Sequence, residues 1–285
     1  MAAPRLGLTT RIFLASAGTV ALVLVVALAV TSRSAQSAAE KSISSRLVAA
    51  QERVRTLIRT ERADLASRLR VYAGIADYRS RFETPTDSGD YLDYAETAAE
   101  ELDAHWVQVI SREGVRLAKS DEPAAERVSL VESPLVRRAL DGQDAEGFGV
   151  AGDTALTHVV ATPIRGGNER VIGAIMAAKY VSDSIVRAVG DSTESELFFY
   201  VVDRQDEPRV TATTDNLRRV GDPLLVEIAS RIAPDSADGI RQAGAPMGTA
   251  LGRVDLGGER FVGRGAMLLS ASRAPVGGFV AFRSL

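Results

Sequence analysis

Trp106-Val107-Gln108-Val109-Ile110-Ser111, a turn at Arg112-Glu113-Gly114, and Val115-Arg116-Leu117-Ala118-Lys119-Ser120 read together as a β-hairpin. The same sentence returns later as Leu197 to Asp203, a polar turn around Gln205 to Pro208, and Arg209 to Thr214. Each hairpin is followed by a helix in similar wording. Ser133-Pro134-Leu135-Val136-Arg137-Arg138-Ala139-Leu140 stands against Asp222-Pro223-Leu224-Leu225-Val226-Glu227-Ile228-Ala229. Proline just behind Ser133 or Asp222 suits the first helical position after an N-cap, where its missing N–H costs nothing. Three more strands close each copy. Phe148 to Ala151 turns at Gly152-Asp153 into Ala155 to Ile164, and Leu251 to Leu256 turns at Gly257-Gly258 into Glu259 to Leu268. Glycine supplies the positive φ that matches the strand twist in such tight turns. Ile172 to Lys179 and Val276 to Arg283 are the final strands. A unit of strand, strand, helix and three strands therefore occurs twice, which predicts an α+β chain with two tandem five-stranded antiparallel sheets.

Outward from the repeat, Thr84 to Gly89 is rich in turn residues, and Tyr91, Ala95, Ala98 and Leu102 fall on one face of a short helix behind it. From Gln36 to Arg81 no proline interrupts a helical pattern, and Gly74 is its only glycine. Ile43, Leu47, Ala50, Val54 and Leu57 alternate spacings of four and three, the seam of a coiled coil. Glu61 breaks that seam. On either side of it Ile58, Leu65, Leu69, Tyr72 and Ala76 form a second face, suited to lying on a globular domain. The lower half of this helix is expected to be a homodimer stalk and the upper half the back support of the first sheet. A solvated, monomeric helix is the alternative.

Ile12 to Val30 contains no charge, and about 20 such residues cross a hydrocarbon core of ~30 Å. A cleaved signal peptide and a buried core helix are the alternatives; Ala27-Leu28-Ala29 offers a weak cleavage site, yet the apolar run exceeds the usual signal core of roughly 7 to 15 residues, so an uncleaved anchor is expected. Arg5 and Arg11 precede it with no acid between them, which keeps the N-terminus cytoplasmic by the positive-inside rule. The expected order is a cytoplasmic N-terminus at 1–11, a transmembrane helix at 12–32, a long stalk helix at 33–82, a membrane-distal unit at 83–190 and a membrane-proximal unit at 191–285.

The chain of 285 residues is 46% hydrophobic, enough for real cores, and carries a formal net charge of -3. No run of five like charges appears, so nucleic acid is not an expected partner. The absence of cysteine excludes disulfides, thiolate catalysis and cysteine metal sites, and is safe in an oxidising compartment. Gly147 to Gly152 matches G-x-G-x-x-G, but a strand rather than a helix follows it, so it reads as a hairpin and not as a dinucleotide fingerprint. Gly166-Gly167-Asn168-Glu169 is likewise a turn. His105 and His158 lack the spacing of a zinc site, and no G-x-S-x-G elbow is present. No cofactor, no metal and no catalytic activity are expected.

Polar groups on apolar sheet strands are the candidates for ligand binding, since pockets are mostly apolar with a few convergent polar groups. Trp106 and Gln108 share one face of their strand, His158 and Thr162 share one face of theirs, and Lys179 ends the last strand of the first copy. Each also has a plain structural reading: Trp106 as core, His158 as a satisfied core polar group, Lys179 as a solvated strand end. The second copy carries Arg283 and Val262 where the first has Lys179 and His158, which makes the first unit the more polar-lined.

Anchor, long helix and tandem five-stranded units together resemble the double Cache domain, a PAS-like extracellular sensor of bacterial receptors. The resemblance covers about residues 36 to 285 and rests on architecture and the repeated phrases. It implies small-molecule sensing by the membrane-distal unit, from the outer side of a bacterial inner membrane. Such domains usually precede a second membrane helix and a kinase, cyclase or chemotaxis output. This sequence stops at Arg283-Ser284-Leu285 without either, as a fragment or a protein that signals through a partner. A structural or adaptor protein without a ligand, and a periplasmic hydrolase, are the other readings.

Overall fold

The computed structural model describes residues 8–84, 88–152, 154–202, 207–218, 225–229, 249–256 and 259–284, with the side chains of most residues before 42 outside that description. Helix α1 runs Leu8–Ala73, α2 Ala76–Glu83 and α3 Ser88–Glu101. The first sheet is built from β1 (Trp106–Ser111), β2 (Arg116–Lys119), β3 (Ala145–Ala151), β4 (Ala155–Arg165) and β5 (Val171–Tyr180), with α4 (Pro134–Leu140) between β2 and β3. After α5 (Asp183–Thr193) come β6 (Glu196–Val202), β7 (Pro208–Thr213), α6 (Asp215–Arg218), β8 (Thr249–Leu256), β9 (Glu259–Leu269) and β10 (Pro275–Ser284). A further helical segment occupies 225–229.

The strand orders are β2-β1-β5-β4-β3 and β7-β6-β10-β9-β8, one order used twice, with every pair antiparallel. The duplicated sheet expected from the repeated phrases is therefore present. Register agrees as well: His158 lies opposite Lys179, and Val262 opposite Arg283. Pro134 opens α4 as expected, although the Ser133 side chain makes no capping bond. Gly152 has φ +53 at the β3–β4 turn, so the G-x-G-x-x-G stretch is a hairpin. The turns at Gln205 and Gly257-Gly258, and the first residues of the helix at Asp222, lie outside the described residues.

The long helix departs from expectation in two ways. It stops at Ala73, because Ile75 takes an extended conformation (φ -65, ψ 126) before α2. Gly74 bridges the break with its N–H donated back to Arg70 and Val71 carbonyls. Ala76, expected on the buried face, is consequently exposed. Moreover, the coiled-coil seam is largely spent inside the chain. Leu47, Ala50 and Val54 are 0–2% exposed, with Gln51 beside them accepting a 2.9 Å hydrogen bond from Arg264 of β9. A heptad-like stripe reports only that a helix face is covered; here the cover comes from the chain itself, and β9 reaches the stripe at Gln51.

Two layers flank the first sheet. Leu65, Leu69 and Tyr72 of α1 and Tyr94, Ala95, Ala98 and Leu102 of α3 pack on Val107, Val109, Val160, Ile164, Ile175 and Ala177. Leu135, Val136 and Ala139 of α4 pack on the opposite face, against Trp106, Ile110, Val159, Ala161 and Met176. Phe198, Tyr200, Phe282 and Val280 form the corresponding core of the second sheet with Leu225 and Ile228. Among the described residues no helix is long and apolar enough to cross a membrane.

Candidate functional site

Strand register sorts the sequence candidates. Gln108 lies opposite Lys119 on one side and Met176 on the other, and Met176 opposite Ala161, itself opposite Ala145. Alternation by two residues puts Trp106 on this same, α4-covered face. His158, Thr162 and Lys179 stand one residue out of phase, on the face that meets α1 and α3. The fold thus brings Trp106 with Gln108, and His158 with Thr162 and Lys179, but it does not bring the two groups together.

On the α4 side the strand ends supply a polar corner. Trp106 and Gln108 are each 7% exposed, and the Gln108 amide oxygen has no hydrogen-bond partner. Such an atom forgoes its solvation unless something meets it, at a cost of roughly 1–3 kcal/mol. Lys119 Nζ lies 5.9 Å from the centre of the Trp106 ring, within reach of a cation–π attraction. The ammonium also pairs with Asp121, at 3.1 Å, and with Glu122. Burial works against its charge, but the hydrogen bonds to Glu122 and Asp121 outweigh that and hold its pKa above the ordinary lysine value. An apolar floor, an indole, a buried amide oxygen without a partner and an ammonium held by two carboxylates lie together at this corner. Sequence reading missed Lys119. A bulge between Val109 and Ile110 shifts the hairpin register, so counting back from the Arg112-Glu113-Gly114 turn does not put Lys119 beside Gln108.

On the helix side the picture is electrostatic. Lys179 Nζ binds Asp103 Oδ2 at 2.8 Å, so its charge is already committed within the protein. His158 is 1% exposed with Nε2 unpartnered, and burial first, then the charges of Arg62, Lys179 and His105, push its pKa down to about 4. It is a neutral imidazole at physiological pH. Arg62 reaches Glu146 at 3.0 Å and stands 5.2 Å from the Phe148 ring centre. Thr162 is 2% exposed and its hydroxyl also lacks a partner. Among the described residues no group of His, Asp or Glu is placed to hold a metal ion.

No protein-family description matches the chain, and no curated protein matches it either. Solved structures do. The ligand-binding domain of the Campylobacter jejuni chemoreceptor Tlp3, in complex with 4-methylisoleucine, matches at 11% identity and TM-score 0.48, over 86% of this chain and 90% of that one. The sensor domain of the Vibrio cholerae histidine kinase DctB matches at 11% identity and TM-score 0.49, over 83% and 95%. The periplasmic domain of Vibrio cholerae LuxQ matches at 11% identity and TM-score 0.48, over 84% and 100%. The tandem five-stranded antiparallel sheets of this chain are those that the resemblance to the double Cache domain implies.

Proposed function

We propose that this chain is the extracytoplasmic small-molecule sensing module of a bacterial signal-transduction receptor, binding rather than transforming its ligand. The observation that carries the reading is the buried amide oxygen of Gln108, which has no partner and shares the α4-covered face with the Trp106 indole and Lys119. A small molecule with a hydrogen-bond donor, such as the ammonium of an amino acid, would meet the Gln108 amide oxygen, beside a Lys119 that Asp121 and Glu122 hold in place. Trp106 and Gln108 are thus kept as ligand residues, with Lys119 added. His158, Thr162 and Lys179 lie on the other face and are not part of this site. The ligand unit is assigned to 83–190, distal to the membrane, and 191–285 to the proximal unit. A ligand that fits one arrangement of sheet and covering loop better than another shifts the population toward it.

Anchoring by Ile12 to Val30 belongs to the same proposal. Its support is the charge-free run and the exposure of Leu24, Val25 and Leu28, at 64–74%. Residues after about 33 would then lie outside a bacterial inner membrane, and two copies would associate along the helix below Leu47, since the seam above it is covered.

A thermal-shift screen of the full chain in detergent with amino acids, organic acids and amines tests the binding reading. A saturable rise in melting temperature that Gln108→Leu abolishes is expected. A screen in which nothing shifts the wild type, or in which Gln108→Leu responds equally, would falsify it.

A further inference from the structure

On the opposite side of the first sheet, where α1 ends and α2 begins, an open cleft of about 360 Å³ is lined by Arg70, Arg79, Arg165, Asp144, Glu169 and Thr162, among others. Three arginines against two carboxylates leave one positive charge in excess. The arginines are not equivalent. Arg70 donates through Nε to Asp144 Oδ2 at 2.8 Å, so its charge is met. Arg165 is held by two backbone carbonyls, Gly142 at 2.7 Å and Glu169 at 3.1 Å. Carbonyls fix the orientation of a guanidinium without cancelling its charge. Arg79, half-buried on α2, has no side-chain hydrogen bond or ion pair among the described residues. Thr162 adds an unmet hydroxyl to the same cleft. This wall residue is 2% exposed, and its hydroxyl has no partner.

We propose that this cleft is a binding site for a small oxyanion, a carboxylate or a phosphate. Arg79 and Arg165 supply the charge-assisted donors, for which the planar guanidinium fork is well matched to oxyanion geometry. Thr162 supplies a hydroxyl that rotates to donate. The volume lies within the range of about 300–1,000 Å³ typical of small-ligand sites. The site sits at the break between α1 and α2, so its occupant bridges the end of the long helix to β4. It goes beyond the sensing site around Gln108 and does not rest on it.

Calorimetric titration of the full chain in nanodiscs of zwitterionic lipid, with sodium phosphate and sodium acetate at ionic strength held constant by sodium chloride, is the test. Saturable binding of either anion is expected, and the anion that saturates identifies the source chemistry. Arg79→Gln should weaken it about tenfold or more and Arg79→Lys less, because charge remains while the fork is lost. Thr162→Val should weaken it several-fold, and Gln108→Leu should leave it intact. The absence of saturable heat from both anions overturns the proposal. So does unchanged affinity in Arg79→Gln, a variant whose retained melting temperature certifies its folding. Loss of binding in Gln108→Leu would instead place the anion in the other site and overturn this one.

Discussion

His158 shows how a single polar residue sets a pH limit on this fold. Phe148 and Lys179 flank it across the sheet, Arg62 faces it from α1, and His105 lies near. Glu61, whose own pKa burial raises, and Glu146 are the acids of the same layer. A histidine held to about pKa 4 when folded, against an ordinary value of 6.5, binds fewer protons folded than unfolded throughout that interval. Stability is therefore independent of this group above about pH 6.5, falls as pH drops toward 4, and levels below it. The integrated loss is on the order of 3 kcal/mol at about 1.4 kcal/mol per pH unit. His158→Leu removes both the titration and the unmet Nε2. We expect stability at pH 7 equal to or above wild type, and a distinctly smaller drop between pH 7 and pH 4.5. Urea midpoints of both proteins at the two values measure the difference, since all carboxylates titrate in common. Parallel drops would show that the imidazole is not excluded from its proton.

At the scale of elements, the duplication reaches further back than the repeated phrases. The helix before each sheet ends alike. Ala104 donates to Ala99 and Ser195 to Gly190, each closing across five residues after a left-handed acid, Asp103 at φ 51 and Glu194 at φ 50. Each acid then takes the cation that ends the last strand of its own copy, Lys179 on Asp103 at 2.8 Å and Arg283 on Glu194 at 2.7 Å. The strands and hairpins were legible because alternation and glycine turns are local signals. These closures were not, since αL acids replace the glycine that usually marks a helix end, and their partners lie many residues away. The same limit explains the stalk: spacing revealed a covered stripe at Leu47, Ala50 and Val54, not what covers it. The site was half legible for a related reason. Facing within a strand follows from alternation, whereas opposite faces of one sheet are distinguished only by inter-strand register. Arg283 is more committed than Lys179, with a further 3.0 Å bond to the Thr193 carbonyl and a 15% exposed side chain. Arg283→Ala should cost about 1–2 kcal/mol and Lys179→Ala under about 1 kcal/mol, the range of a charge-assisted hydrogen bond and of an exposed ion pair. Glu194→Gly should stay within about 0.5 kcal/mol of wild type, because relief of the left-handed strain, roughly 1 kcal/mol, offsets the lost pair. Denaturant titration ranks the three; equal losses for Arg283→Ala and Lys179→Ala would deny the asymmetry.

Across the whole of residues 47–284, the two sheets are joined where no side chain intervenes. Gly147 of β3 faces Ala271, in the β9–β10 turn of the second sheet, so closely that a Cβ there would stand 2.7 Å from the Ala271 backbone nitrogen. Ala271 packs against the cluster that contains Trp106 and Met176. A rearrangement around Gln108 therefore has a packed route to the second sheet, and from β9 to the long helix through the Arg264–Gln51 bond. With this junction the sheets are expected to unfold as one cooperative unit rather than as two beads. Calorimetry of the wild type should give a single transition over them, with matching calorimetric and van't Hoff enthalpies. Gly147→Val forces the turn away and should cost about 1–3 kcal/mol, the range for overpacking, while separating or broadening the transition. Gly149→Ala, on the same strand, meets nothing nearer than 3.4 Å and should leave the profile single. Two resolved transitions in the wild type, or an unaltered single one in Gly147→Val, would mean that the contact at Ala271 does not couple the sheets.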